Sequence, residues 1–228
     1  MAKIKAIIFD LDNTLIDFWK MKRLASQAAI TAMIKAGLKI DKRKAWKVLG
    51  KLFNEYGIEN QQIFKIFLEK VIGRNDERIL AAGVVAYRKV KELQLKTYPQ
   101  VPSTLKKLKK RGLKLAILTD APRFQAWTRL FGLKLEKYFD LVIVWEDSKQ
   151  KKPSKLPFKV AIKKLRIKPE NIIMIGDSIY RDVLGAKKLG MTTILAKYGQ
   201  VWKEKIRIKP DYTIAKFEEI IDVLSRHY

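Results

Sequence analysis

The stretch IIFDLDNTLID, residues 7–17, runs apolar through Phe9 and then sets Asp10, Asp12 and Asp17 around an Asn and a Thr. Continuous Ile and Phe without polar alternation is the pattern of a strand buried on both faces, as in the middle of a parallel sheet. Carboxylates two residues apart at the end of such a strand repel one another, and burial raises that cost. The pattern therefore requires a cation between them.

Further strand-like runs lie downstream: LKLAILTD (113–120), LVIVW (141–145), NIIMIGD (171–177), TTILA (192–196) and DYTI (211–214). Together with IKAIIFDL (4–11) and the helical segments between them, they predict an α/β doubly wound parallel sheet with right-handed crossovers. Between the first and second strands lie about a hundred residues with helical period, including AAITAMIKAGL (28–38), IFKIFLEKVI (63–72) and ILAAGVVAYRKVKEL (79–93). Gly37, Gly57 and Gly73 fall where such helices would end. This insert is too long for a simple crossover and has apolar faces of its own. We expect a core of residues 1–16 and 98–228 and an all-helical cap of residues 17–97, with KTYPQVPS (96–103) as the return linker.

A chain of 228 residues that is 48% apolar can bury a sizeable core. It has no run of about eighteen uncharged apolar residues, and MAKIK leads straight into a strand without a leader pattern. A cytoplasmic protein without membrane partners is expected. The absence of cysteine excludes disulfides, thiolate nucleophiles and Cys-bound zinc, and the only histidine, His227, is expected to fray with the terminus. Catalysis must then come from carboxylates, lysines and hydroxyls. The net charge of +26 is spread throughout: residues 18–96 carry 18 Lys/Arg against 7 Asp/Glu, and the remainder 31 against 16. Its densest run, KKLKKRGLK (106–114), has Leu at helical spacing and is read as a solvated helix face. A nucleic-acid partner is not expected; a small anionic substrate drawn in by the field is.

In a parallel sheet, ligands bind beyond the carboxyl ends of the strands. Asp10 and Asp12 leave the first strand there, Thr119 and Asp120 the second, and Asp177 and Ser178 the NIIMIG strand. The series DLDNT (10–14), LT (118–119), KP (152–153) and GDSIYRD (176–182), in this order, resembles the four motifs of the haloacid dehalogenase (HAD) superfamily. A DxDxT match alone arises by chance about 0.02 times in a chain of this composition, before strand context is required. The resemblance covers the whole core, and the insert is similar to that superfamily's helical cap. It implies a Rossmann-like core and transfer of a phosphoryl group through an aspartyl-phosphate.

A carboxylate nucleophile approaching a phosphate dianion needs a hard cation with oxygen ligands, here Mg2+, for which Asp10 and Asp177 are the expected side-chain ligands. The resemblance further implies that Asp10 is the nucleophile. It gives Asp12 two tasks: lending its backbone carbonyl to the metal, and using its side chain to protonate the leaving oxygen and then activate water. Thr119, the N–H of Asp120 and Lys152 are expected to bind the transferring phosphate, with the Asp120 carboxylate turned away. Lys152 is preferred to Lys149, Lys151 and Lys155 because it precedes Pro153 and a helix expected near Leu156, a register similar to the third motif. Ser178 and Asp182 are placed behind the metal. Asp182 bonds its waters or Lys152, or else serves only as a favourable charge at a helix start. Asp17 either caps the first cap helix or touches substrate.

Asp12 argues against a dehalogenase, and Leu11 with the lack of spans against a cation pump. A phosphatase acting on a small phosphorylated metabolite is preferred to a sugar phosphomutase, and both to a basic nucleic-acid or anion-binding module. The cap resembles those of phosphoglycolate phosphatase-like and archaeal glyceraldehyde 3-phosphate phosphatase-like proteins. Trp19, Lys20, Arg23 and, from the core, Arg123 are candidates to face substrate. A monomer or homodimer is expected.

Overall fold

In the computed structural model, which describes residues 3–201 and 206–225, β1 (Ala6–Phe9) is buried at all four positions because it is flanked on both edges and covered on both faces. The elements that follow are α1 (Phe18–Lys35), α2 (Lys42–Tyr56), α3 (Ile63–Ile72), α4 (Glu77–Gln94), α5 (Val101–Lys110), β2 (Lys114–Leu118) and α6 (Arg123–Gly132). After them come β3 (Leu141–Ile143), α7 (Trp145–Ser148), α8 (Lys155–Leu165), β4 (Ile172–Gly176), α9 (Leu184–Lys187), β5 (Thr192–Ala196), β6 (Tyr212–Ile214) and α10 (Ile220–Ser225). Among the described residues, six strands form one sheet in the order β3-β2-β1-β4-β5-β6, and every neighbouring pair is parallel. Phe9 sits in register with Ile117 on one side and Ile175 on the other, so β1, β2 and β4 end at the same level. Strand order reverses beside β1, which puts a crevice at the carboxyl ends of β1 and β4.

One sheet face packs Ile8, Ala116 and Met174 against Phe158 and Ala161 of α8 and Ala186 of α9. On the other face, the Phe9 ring meets Phe139 and Phe217 with centroids 6.1 and 5.9 Å away. The alternation follows from the strand's period of two.

The chain divides into two compact units, Met1–Phe18 with Lys96–Tyr228, and Trp19–Leu95. These divisions lie two residues inside the insert read from the sequence. Residues 17, 18, 96 and 97 stay with the sheet because the outgoing and returning segments pair: Ile16 bridges Thr97, and Asp17 N–H donates to the Lys96 carbonyl at 3.2 Å. The helical unit has a core of its own, with Ile30, Met33, Leu49, Phe53, Phe64 and Phe67 buried together. Helices α2 and α4 start where the sequence supplies caps: Asp41 accepts from Arg43 N and Lys44 N, and Asp76 from Ile79 N. The expected linker 96–103 is shorter than its prolines suggested. Pro102 occupies the first turn of α5, where its missing N–H costs nothing. Leu105 and Leu108 are buried beneath that helix's exposed lysines. No helix among the described residues is long and apolar enough to cross a membrane. His227 lies outside the described residues.

Candidate active site

Asp10 follows directly from β1, and its N–H continues the ladder to the Ile175 carbonyl at 2.8 Å. The backbone is therefore fixed up to the carboxylate, whose oxygens divide between two donors. Lys152 Nζ lies 2.6 Å from Oδ1, and Thr14 Oγ1 donates to Oδ2 at 3.1 Å. The side chain of Lys152 is wholly buried, and Nζ also donates to Asp182 Oδ1 at 2.6 Å and to the Leu118 carbonyl at 3.0 Å. Burial disfavours the charge on this ammonium, but Asp10, Asp182 and Asp120 more than offset it, so its pKa rises.

Asp182 is fully buried, with both oxygens engaged: Oδ1 by Lys152 and Oδ2 by the Ser178 N–H at 3.1 Å. It reaches this position through one wide helical turn, Ile179–Val183, which Ser178 opens by accepting from Arg181 N. Gly176 makes the approach feasible. A Cβ there would stand 2.2 Å from Asp182 Cγ, so any side chain would drive the acid away from Lys152. Gly199 makes a comparably close approach to the loop after β1. A Cβ at Gly199 would lie 1.6 Å from the Asn13 carbonyl, and neighbouring Tyr198 donates its hydroxyl to the Thr14 carbonyl at 2.7 Å. Burial first raises the pKa of both Tyr198 and its ring partner Tyr98, with Tyr98 and then Asp177 and Asp10 adding to the rise at Tyr198, and Asp17 and Asp177 at Tyr98, which keeps both phenols protonated.

Asp177 stands at the end of β4. Burial, then the negative charges of Asp10 and Asp182, push its carboxyl up to about 8, against the pull of Arg181 and Lys152. Its bond to Arg181 Nη2 is long, 3.4 Å. Asp10, Asp177 and Asp182 each offer an oxygen within 4.8 Å of the others. Three buried carboxylates at that spacing, one forced towards its neutral form, fit a hard divalent cation with oxygen ligands. The expected side-chain ligands, Asp10 and Asp177, both belong to this cluster, with Asp182 as its third carboxylate; for Asp12 only the backbone carbonyl is expected at the metal, and its side chain pairs with Arg129, with Nη1 2.6 Å from Oδ2. Because Lys152 and the Ser178 N–H already hold both Asp182 oxygens, Asp182 is better suited to orienting Lys152 than to direct ligation.

A group whose folded pKa is raised favours the fold below its unfolded value, 3.8 for Asp177, and that contribution is lost as pH rises towards about 8. A cation that binds the ionised carboxylate reverses the loss. We expect millimolar Mg2+ to raise the melting temperature more at pH 8 than at pH 6; equal shifts would contradict Asp177 as a ligand.

Thr119 is buried at the end of β2, its Oγ1 accepting from Ala121 N at 3.1 Å, which leaves its hydroxyl hydrogen to donate elsewhere. The Asp120 carboxylate accepts from Lys152 N at 3.0 Å, so it clasps the lysine's loop. Helix α8 starts at Lys155 behind the cap Ser154, close to the expected register. Arg123, a candidate for substrate contact, pairs with Asp147 at 3.1 Å on the exposed side of α6. Trp19, Lys20 and Arg23 lie on α1, and Asp17 directly precedes it. Sequence reasoning missed Gly176, Thr14, Tyr198 and Arg129. Gly176 stood beside Asp177 in the quoted motif, whereas nothing in the spacing of Arg129 connects it to residue 12.

The family model described as haloacid dehalogenase-like hydrolase matches residues 7–196. A glyceraldehyde 3-phosphate phosphatase of Pyrococcus furiosus is 36% identical over 99% of this chain and 95% of its own length. A phosphoglycolate phosphatase of Aquifex aeolicus is 30% identical, covering 98% of both. Among solved structures, a HAD phosphatase from Thermococcus onnurineus superposes with a TM-score of 0.72 at 26% identity, covering 97% of this chain and 98% of that one.

Proposed function

We propose a function from the premise that the chain belongs to the haloacid dehalogenase-like hydrolase family: it is a phosphatase that hydrolyses small phosphomonoesters through an aspartyl-phosphate on Asp10. The observation that carries this reading is the pairing of Asp10 with a wholly buried Lys152 beside Asp177 and Asp182. Such a grouping has no stabilising value that apolar residues would not supply better, but it suits attack on a phosphate. The Asp10 and Asp177 carboxylates and the Asp12 carbonyl would hold a divalent cation, Mg2+ in this proposal, whose charge would let one anion approach another.

The chain's own groups do the rest. An Asp10 oxygen bonds to phosphorus as the ester P–O bond breaks, and the Asp12 carboxyl gives its proton to the departing oxygen. Lys152, the Thr119 hydroxyl and the Asp120 N–H balance charge on the equatorial oxygens. Asp12, now ionised, takes a proton from water as the water oxygen bonds to phosphorus. The bond to Asp10 then breaks and inorganic phosphate leaves. Asp182 and Ser178 hold Lys152 and the Asp177 turn in place. The basic field, +26 overall, favours entry of an anionic metabolite.

Because relatives aligned along nearly the whole chain act on glyceraldehyde 3-phosphate or phosphoglycolate, a two- or three-carbon phosphomonoester is the substrate class we infer. The test is phosphate release from glyceraldehyde 3-phosphate and 2-phosphoglycolate, with Mg2+ and with a chelator. Turnover that stops on chelation is expected; no metal-dependent release from either compound, or from a wider set of phosphomonoesters, would overturn the reading.

A further inference from the structure

Arg129 is only 2% exposed, yet it lies on α6, a surface helix whose other buried residues are Ala126 and Leu130. A guanidinium on that apolar stripe needs an acid to face, since an unpaired buried charge costs several kcal/mol. It faces Asp12 at 2.6 Å, across 117 residues of sequence. On its flat side it lies over the Phe18 ring, 4.4 Å from the centroid, in a cation–π contact. The Asp12 backbone is fixed separately by its bridge to Ile16. Asp12 therefore has its main chain set by the loop after β1 and its carboxylate set by α6. That helix itself starts just beyond Thr119 and Asp120, at the same sheet edge.

We propose that Arg129 is a positioning residue for Asp12, holding the carboxylate in the orientation from which it serves the leaving oxygen, with Phe18 holding Arg129. The proposal rests on the reading of Asp12 as the acid and base. A purely structural ion pair would be replaceable by apolar residues of similar volume without harm to chemistry. An orienting one would not, because general acid catalysis depends on hydrogen-bond reach to the departing atom. Phe18 is the last residue of the sheet unit before the helical unit begins at Trp19, so the same contact ties the acid to the point where the chain leaves the sheet.

Leaving-group dependence tests this. An alkyl alcohol leaves poorly without a proton, whereas 4-nitrophenolate leaves unaided. We expect Arg129→Met to lower kcat/KM for 2-phosphoglycolate at least about tenfold more than for 4-nitrophenyl phosphate. Arg129→Lys should recover part of the loss, since it restores charge without the planar fork. Asp12→Asn, measured in parallel, should show the same selectivity more strongly. Equal losses on both substrates in folded Arg129 variants would overturn the proposal. Should Arg129→Met fail to fold, as judged by thermal unfolding, the decision passes to Arg129→Lys and Phe18→Leu, where selectivity of about threefold supports the proposal and none overturns it. The two levels of failure separate. If Asp12→Asn is selective and the Arg129 and Phe18 variants are not, the positioning role fails alone; if Asp12→Asn is not selective, the acid–base reading fails and takes this one with it.

Discussion

Asp10→Asn is expected to reduce metal-dependent phosphate release by at least about a thousandfold while leaving the protein folded. The substitution keeps the size of the side chain. Its amide oxygen can still accept from Lys152, and its NH2 can donate to the Thr14 hydroxyl, which the present geometry places 3.1 Å from Oδ2. The amide is not a nucleophile towards phosphorus, so the first chemical step stops. The wild-type enzyme, quenched in acid during turnover, should carry a hydroxylamine-sensitive phosphate at Asp10, and the variant none. Turnover within tenfold of wild type would remove Asp10 from the mechanism.

The largest structural effect is expected at Lys152. Its ammonium is wholly buried between Asp10 and Asp182, and Lys152→Met leaves those two carboxylates without their common counter-charge. A broken buried pair of this kind costs about 3–5 kcal/mol. The cost must depend on pH. Asp177 and Asp182 are already raised, chiefly by burial and then by neighbouring charges, with Lys152 pulling both down. Without the lysine they rise further, so the variant takes up protons on folding and loses stability as pH increases through the raised values. Urea unfolding should show a larger deficit at pH 8 than at pH 5, and Asp182→Asn added to Lys152→Met should recover part of it. Equal stability of Lys152→Met and wild type at pH 8 would contradict the pairing of Lys152 with Asp10 and Asp182.

These two residues also mark what the sequence alone makes legible. Asp10 was legible because an apolar run without alternation admits few settings other than a central parallel strand, and acids at its end have few uses. Lys152 was legible through its place before Pro153 and a helix start, among three neighbouring lysines that composition alone could not separate. The insert was legible because its apolar residues recur every three to four positions, and its core of Phe53, Phe64 and Phe67 follows from that period.

The destination of the Asp12 carboxylate was not legible, nor was the need for glycine at residue 176. The sequence by itself determined the order of strands and helices, the helical insertion and the acids delivered to one sheet edge, because these depend on local periodicity and on strand ends. Only the tertiary structure decided which charges pair. Arg129 reaches Asp12 from 117 residues away, and Lys152 reaches Asp10 across 142. Asp182 joins the cluster only because the Gly176 backbone leaves space for it. Coulomb interactions and close packing depend on separation in space, and separation along the chain carries no information about it.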